Sequence, residues 1–145
     1  MKVEFHSGLA DKTGAACRFL RKAQAAGATV VVCAEASVLD RLDLALWSFD
    51  PQSFVPHVRV KGAATPARAL ARTPTWLVDD PACVASREVL LNLGPAMVAD
   101  WQQFARVVEM ISAEPDDARA GRERWRQYSG VPALELVHHA KAAST

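Results

Sequence analysis

Three arginines and one tryptophan near the C-terminus have the types and spacing of a site for an anion that carries an apolar group. They are Arg119, Arg122, Trp125 and Arg126. Positions i, i+3, i+6 and i+7 lie on one side of a helix. Guanidinium groups make charge-assisted hydrogen bonds to carboxylates, and an indole offers a flat apolar wall. The group therefore fits an acidic peptide that ends in a hydrophobic residue, and it also fits single-stranded nucleic acid.

A structural role for the same residues stays open at this point. Arginines near the C-terminus of a helix complement the helix dipole, and Trp125 could anchor a core. Helical spacing alone does not separate the two roles.

A second group of large apolar residues lies where a predicted helix gives way to a predicted strand. Its members are Trp47, Phe49, Phe54 and Pro56. Aromatic residues at such a boundary ordinarily belong to the core, whereas exposed ones would form a contact surface for a partner protein.

Signs of catalysis are weaker. Asp79 and Asp80 follow a predicted strand, where acids can hold magnesium, but Asp-Asp-Pro is also a natural turn. The segment from Ser7 to Gly14 lacks both GxGxxG and a GK[ST] ending, and none of the four histidines lies in a known catalytic motif. We expect no catalytic residue, metal or cofactor. The alternative is a small nucleotide-binding or hydrolytic α/β enzyme that uses Asp79 and Asp80.

Composition limits the class of protein. A chain of 145 residues fits one domain. Its net charge of +1 argues against electrostatic binding of duplex DNA by the domain as a whole. Cys17, Cys33 and Cys83 have no metal-ligand spacing, so we expect buried free thiols. No segment has the apolar length of a signal peptide or a membrane span, and we therefore expect a cytoplasmic protein without membrane contact.

Hydrophobic periodicity predicts alternating strands and helices. The predicted strands are 3–6, 29–33, 54–58, 75–78, 89–93 and 106–111, and the predicted helices are 13–25, 37–47 and 115–128. The run Thr29–Cys33 is typical of a strand buried on both faces of a parallel sheet, whereas 106–111 is ambiguous and is interpreted as a strand. The sequence therefore predicts one three-layer, Rossmann-like α/β domain over residues 1–145, with a mostly parallel central sheet.

Linked motifs in this order resemble the chi subunit of bacterial DNA polymerase III holoenzyme. They are Arg41-Leu-Asp-x-Ala-Leu-Trp47, Ser53-Phe-Val-Pro-His57 and Arg122-x-Arg-Trp-Arg-x-Tyr128. The resemblance spans nearly the whole chain. It implies a non-catalytic accessory subunit of a DNA-directed DNA polymerase, with a Rossmann-like fold and no nucleotide site.

The resemblance also implies partners. Chi forms a heterodimer with the psi subunit, which links it to the clamp loader, and it binds the acidic C-terminal tail of single-stranded-DNA-binding protein. Its contact with DNA is then indirect. A repair helicase is a further candidate partner for the surface around Trp47.

The site residues implied by the resemblance fall into two sets. Arg122, Trp125 and Arg126 match positions that receive the tail. The positions at the psi-contacting face are matched by Trp47, Phe54, Pro56 and His57. After Tyr128 the sequence departs from the family pattern, because Ser-Gly-Val-Pro stands where a further basic residue is often found.

Overall fold

The computed structural model describes residues 1–48, 55–62 and 73–140. Its strands are β1 (Lys2–Leu9), β2 (Val30–Cys33), β3 (His57–Val60), β4 (Thr75–Val78), β5 (Val89–Asn92), β6 (Arg106–Ser112) and β7 (Glu135–Ala140). The α-helices are α1 (Lys12–Ala25), α2 (Ala36–Ser48) and α3 (Pro115–Ser129), and single 3₁₀ turns lie at Pro81–Cys83 and Trp101–Gln103.

The seven strands form one sheet in the order β3-β4-β2-β5-β6-β1-β7, and every pair is parallel. The four residues of β2, β4 and β5 are all buried. Strands that are buried along their whole length are expected where helices cover both faces of a parallel sheet. The predicted α/β fold with a parallel central sheet is confirmed.

The direction of each crossover decides which face a helix covers. The connections β1-α1-β2 and β2-α2-β3 run toward the β3 edge, whereas β6-α3-β7 runs toward the β7 edge. Because parallel crossovers are right-handed, opposite directions place helices on opposite faces. Accordingly Leu20 of α1 and Leu42 of α2 share one apolar cluster, and Tyr128 of α3 belongs to the other.

Two strands differ from the sequence-based expectation. Strand β3 begins at His57, not at residue 54, since Val55 and Pro56 precede the first paired residue. Proline has no N–H to donate to a strand ladder, so pairing starts after it. The last strand, β7, was not predicted, because its exposed residues lack the alternation that marks a half-buried strand. The ambiguous segment over 106–111 is a strand, as expected.

The cysteines agree in part with their expected burial. Cys17 and Cys33 are buried free thiols, and burial raises the pKa of Cys17 to about 11 and that of Cys33 to about 12. Cys83 is only half-buried, so the expectation was wrong for that residue. Within the described part of the chain, no helix is both long enough and apolar enough to cross a bilayer.

Candidate partner-binding surfaces

Helix α3 is fixed at its N-terminus by one aspartate. The carboxylate of Asp117 accepts a hydrogen bond from Lys12 Nζ at 2.8 Å and another from the backbone N–H of Ser112 at 2.6 Å. Burial alone would raise the pKa of Asp117, but these hydrogen bonds lower it below its usual value. The first turn of α3 is therefore tied to both α1 and β6.

A buried polar network fixes the middle of α3. Arg124 Nε donates to Glu109 Oε1 at 2.9 Å, and Glu109 Oε2 accepts from Tyr128 Oη at 2.8 Å and from Asn92 Nδ2 at 3.0 Å. Arg124 Nη1 also donates to the carbonyl of Pro95 at 2.7 Å. Burial raises the pKa of Glu109, and the guanidinium of Arg124 opposes that shift. A buried charge of this kind needs such partners.

Sequence reasoning gave Arg124 no role, although a signal was present. Glu109 is the only charged residue inside the apolar run Val107–Ile111. A lone acid in a buried strand predicts a buried cation opposite it. The network holds α3 at a fixed rotation and so fixes which of its residues face outward.

A groove lies between α3 and the ends of β1 and β6, and its cavity measures about 610 Å³. We call it the α3 groove. Its lining residues are Phe5, Ser7, Gly8, Ile111, Ser112, Ala113, Ala118, Gly121, Arg122, Trp125 and His138. A Cβ on Gly121 would lie 2.6 Å from Ile111 Cγ1. Only glycine therefore allows α3 to approach β6 this closely.

Trp125 has both of the roles that the sequence left open. Its ring packs edge-on against Phe5, with centroids 5.1 Å apart, and it is half-buried. The same indole forms a wall of the α3 groove. His138 of β7 lies against it with ring centroids 5.6 Å apart, and His138 Nε2 is 2.6 Å from Ser7 Oγ.

The arginines of α3 are not equivalent. Arg122 lines the groove, and no hydrogen bond or ion pair to its side chain is present among residues 1–48, 55–62 and 73–140. Arg126 lies outside the lining and pairs with Glu123 at 3.0 Å. Arg119 pairs with Asp116 at 3.5 Å. Arg122 is therefore the arginine best placed to meet an anion in the groove.

The second candidate surface is apolar and exposed. Among the described residues only three large hydrophobic side chains are exposed, and two of them, Leu44 at 72% and Trp47 at 63%, lie one turn apart on α2. The opposite stripe of the helix, Leu39, Leu42 and Leu46, is buried. Sequence reasoning missed Leu44, although its place opposite the buried leucines could have indicated exposure.

Of the described residues that follow α2, Pro56 extends this surface, whereas the side chain of His57 is only 1% exposed. The ring of His57 contacts that of Trp47 with centroids 5.3 Å apart, and His57 Nε2 lies 2.9 Å from Asp43 Oδ1. Pro56 is half-buried. Leu44, Trp47 and Pro56 are together called the α2 face, and His57, which the sequence also assigned to this surface, supports it from the inside. Phe54, which the sequence assigned to this surface, lies outside the described residues.

Asp79 and Asp80, the candidate catalytic residues of the alternative enzyme hypothesis, both have structural partners. Asp79 accepts from Arg59 Nη2 at 2.8 Å and from the N–H of Gly62 at 2.7 Å, and these hydrogen bonds lower its pKa. Asp80 accepts from the N–H of Ala82 at 3.0 Å and caps a 3₁₀ turn. Both residues thus serve the turn that the Asp-Asp-Pro sequence suggested.

The place where α/β folds bind phosphates is unsuited to an anion here. The side chain of Asp11 accepts a hydrogen bond from the backbone N–H of Gly14, so a carboxylate already occupies the N-terminus of α1. The adjoining cavity, about 480 Å³, is lined by two cations, Lys12 and Arg41, and by a larger number of acids: Asp11, Glu35, Glu114, Asp116 and Asp117. These carboxylates would repel a nucleotide phosphate.

Comparison with known proteins gives one family over most of the chain, besides a partial likeness to the urease accessory protein UreD 2 of Synechococcus sp., which is 32% identical over 71 residues that cover 49% of this chain and 24% of that protein. A family model described as DNA polymerase III chi subunit, HolC, matches residues 1–132. The DNA polymerase III subunit chi of Pseudomonas aeruginosa is 32% identical over 114 residues, which cover 78% of this chain and 75% of that protein.

Solved structures with a similar fold are distant in sequence. The C-terminal domain of S. cerevisiae Dbp5 has a TM-score of 0.62 at 8% identity and covers 97% of this chain and 90% of that one. Domain 2 of the DEAD-box helicase Mss116p has a TM-score of 0.58 at 11% identity and covers 99% of this chain and 65% of that one. At such identities the likeness concerns the fold alone. The family match and the relative, by contrast, agree over most of the sequence, and the chain belongs to the DNA polymerase III chi subunit family.

Proposed function

We propose that this chi subunit is a non-catalytic bridge in the clamp-loader assembly. It binds the psi subunit through the α2 face and the acidic C-terminal tail of single-stranded-DNA-binding protein through the α3 groove. The observation that carries the proposal is the placement of two unlike surfaces on opposite faces of one sheet. A protein that links two partners at once needs surfaces that do not overlap.

The α3 groove has the chemistry for a tail that ends in a hydrophobic residue. Its cavity of about 610 Å³ is large enough for an aromatic side chain, and Trp125 supplies an apolar wall. Arg122 stands at the same cavity and is available for a terminal or side-chain carboxylate. Arg126, further along the helix, adds positive charge outside the cavity.

The α2 face has the chemistry for a folded partner. Exposed tryptophan is enriched among the residues that carry most of the binding energy at protein interfaces. Leu44 and Trp47 offer apolar contact area, and Asp40 and Arg41 supply a charged border. Contact with DNA would then be indirect, through the two partners, which agrees with a net charge of only +1.

The tail contact is tested by calorimetric titration of the full chain with an acidic peptide that ends in Asp-Ile-Pro-Phe. The same peptide without its terminal Phe is the ligand control. We expect binding that requires the Phe and weakens as salt rises, because screening acts on solvent-exposed charges. Equal affinity for both peptides would contradict insertion of an aromatic side chain.

The site is tested by charge reversal. Arg122→Glu should abolish measurable tail binding, since it replaces an attractive charge at the cavity by a repulsive one. Arg18→Glu is the matched control, because it makes the same change of net charge on α1, on the other face of the sheet. If both variants lose affinity equally, the tail is attracted by overall charge and the groove is not its site.

A further inference from the structure

A cluster of possible metal ligands lies on the sheet face opposite the α3 groove. His6 of β1 and His139 of β7 are partners in the strand register, so their side chains project from the same face. Their rings stack with centroids 4.9 Å apart and an interplanar angle of 22°. Glu4, two residues before His6, shares that face, and Glu4 Oε2 lies 3.6 Å from His6 Nε2.

We propose that Glu4, His6 and His139 bind a divalent transition-metal ion at the β1–β7 edge of the sheet. One donor atom from each residue lies within 4.8 Å of the other two. Ligands on a tetrahedral zinc ion stand roughly 3.3 Å from one another, given bond lengths of about 2.0 Å. The donor atoms must therefore move closer together when the ion binds. Rotation of the exposed or half-buried imidazoles can shorten these distances while the paired strands stay in place.

The site is open on one side. A cavity of about 390 Å³ borders both histidines and reaches α1, where Arg18, Phe19 and Lys22 form the opposite wall. Strand β7 is the edge of the sheet, next to β1. Among the described residues the cluster has three members, so a fourth coordination position would face this cavity.

One ligand is already held in place. Arg106 donates to both oxygens of Glu4, from Nε at 3.1 Å and from Nη2 at 2.8 Å. A hydrogen-bonded partner of this kind orients a metal-binding carboxylate.

The ligand types decide which ions fit, because the surrounding cations act on every divalent ion alike. Cations of the described residues face the cluster or its cavity: Lys2, Arg18, Lys22 and Arg106. The acid Glu135 lies in register with Lys2. A single carboxylate offers too few oxygen ligands for calcium or magnesium. Zinc, nickel and copper gain more from imidazole nitrogen, so two histidines and one carboxylate select for these.

The proposal is tested by calorimetry with zinc chloride on the full chain, free of any affinity tag. A Cys83→Ser background removes the half-exposed thiol as a competing ligand. We expect one ion per chain. His139→Gln should weaken binding by at least about tenfold, because loss of even an outer-shell partner commonly costs about 10–100-fold in affinity.

His138→Gln is the matched control. It is the same substitution at the adjacent residue of β7, whose side chain lies on the other face against Trp125. Its zinc affinity should equal that of the parent protein. Equal losses in the two variants, or undiminished binding by His139→Gln, would overturn the site.

A spectroscopic readout separates ligand loss from loss of fold. Cobalt(II) in a site with imidazole ligands gives visible absorption bands, which should appear in the parent protein and in His138→Gln but not in folded His139→Gln. Absence of saturable zinc or cobalt binding by the parent protein would also overturn the proposal.

Discussion

The α3 groove and the α2 face differ in shape, charge and support. The groove is concave, lined by an arginine and an indole, and backed by a fully buried polar network. The α2 face is apolar, and its two most exposed side chains project from one helix whose other side is in the core. A cavity beside an arginine suits a short flexible tail, whereas an exposed apolar helix face suits a folded partner.

We expect the largest effect on stability from a substitution of Arg124, which belongs to the network that supports the α3 groove. In Arg124→Met the carboxylate of Glu109 stays buried without its cation, so the free energy of unfolding should fall by about 3–5 kcal/mol. Urea denaturation followed by fluorescence measures this loss. The paired variant Arg124→Met/Glu109→Gln should recover part of it. A loss below about 1 kcal/mol, the level of a surface ion pair, would contradict a supporting role for the network.

Trp47→Ala should separate the two surfaces. An interface tryptophan commonly contributes about 2 kcal/mol or more, so co-purification with psi should be lost. Tail affinity should stay unchanged, because the groove lies on the other face of the sheet. Arg122→Glu is the reciprocal control, with tail binding lost and psi binding kept. Unfolding of the Trp47→Ala protein would instead assign that residue to the core.

Arg126→Glu tests how far the tail-binding site extends along α3 beyond the groove. The side chain of Arg126 is 71% exposed and paired with Glu123, so its reversal should weaken tail binding by only about 1 kcal/mol. Titration at two salt concentrations should show a smaller effect at the higher one. An effect equal to that of Arg122→Glu would mean that the tail extends along the exposed side of α3. Unchanged affinity at low salt would remove Arg126 from the site.

Acid should remove the stabilising contribution of Asp117, which ties α3 to α1 and β6. The folded-state pKa of Asp117 lies below its ordinary value of 3.8, so its contribution to stability is present above pH 3.8 and is lost as pH falls through the folded-state pKa. The difference in unfolding free energy between the parent protein and Asp117→Asn should therefore be constant above about pH 5 and shrink below about pH 4. Urea titrations across this range test it, and a difference independent of pH would contradict the linkage.

Much of the fold follows from local sequence patterns. The buried β-branched run at β2 and the helical stripes of α1 and α2 are visible in the order of residues, because periodicity reports which face of an element is buried. Strand β7 was not predicted, because it is an exposed edge strand that takes its conformation from pairing with β1. This pairing is a long-range contact, and exposed residues have no periodic pattern from which it could be predicted.

By itself the sequence determined the α/β class, the order of most elements and the motifs that identify the chi family. It also placed Arg122 and Trp125 on one side of a helix, since spacing along a helix fixes direction. Only the tertiary structure decided that Arg124 turns inward to Glu109, that Arg122 borders a cavity, and that His6 meets His139 from the other end of the chain. The physical reason is that these contacts join residues on different elements, and their distances depend on how the helices and strands pack.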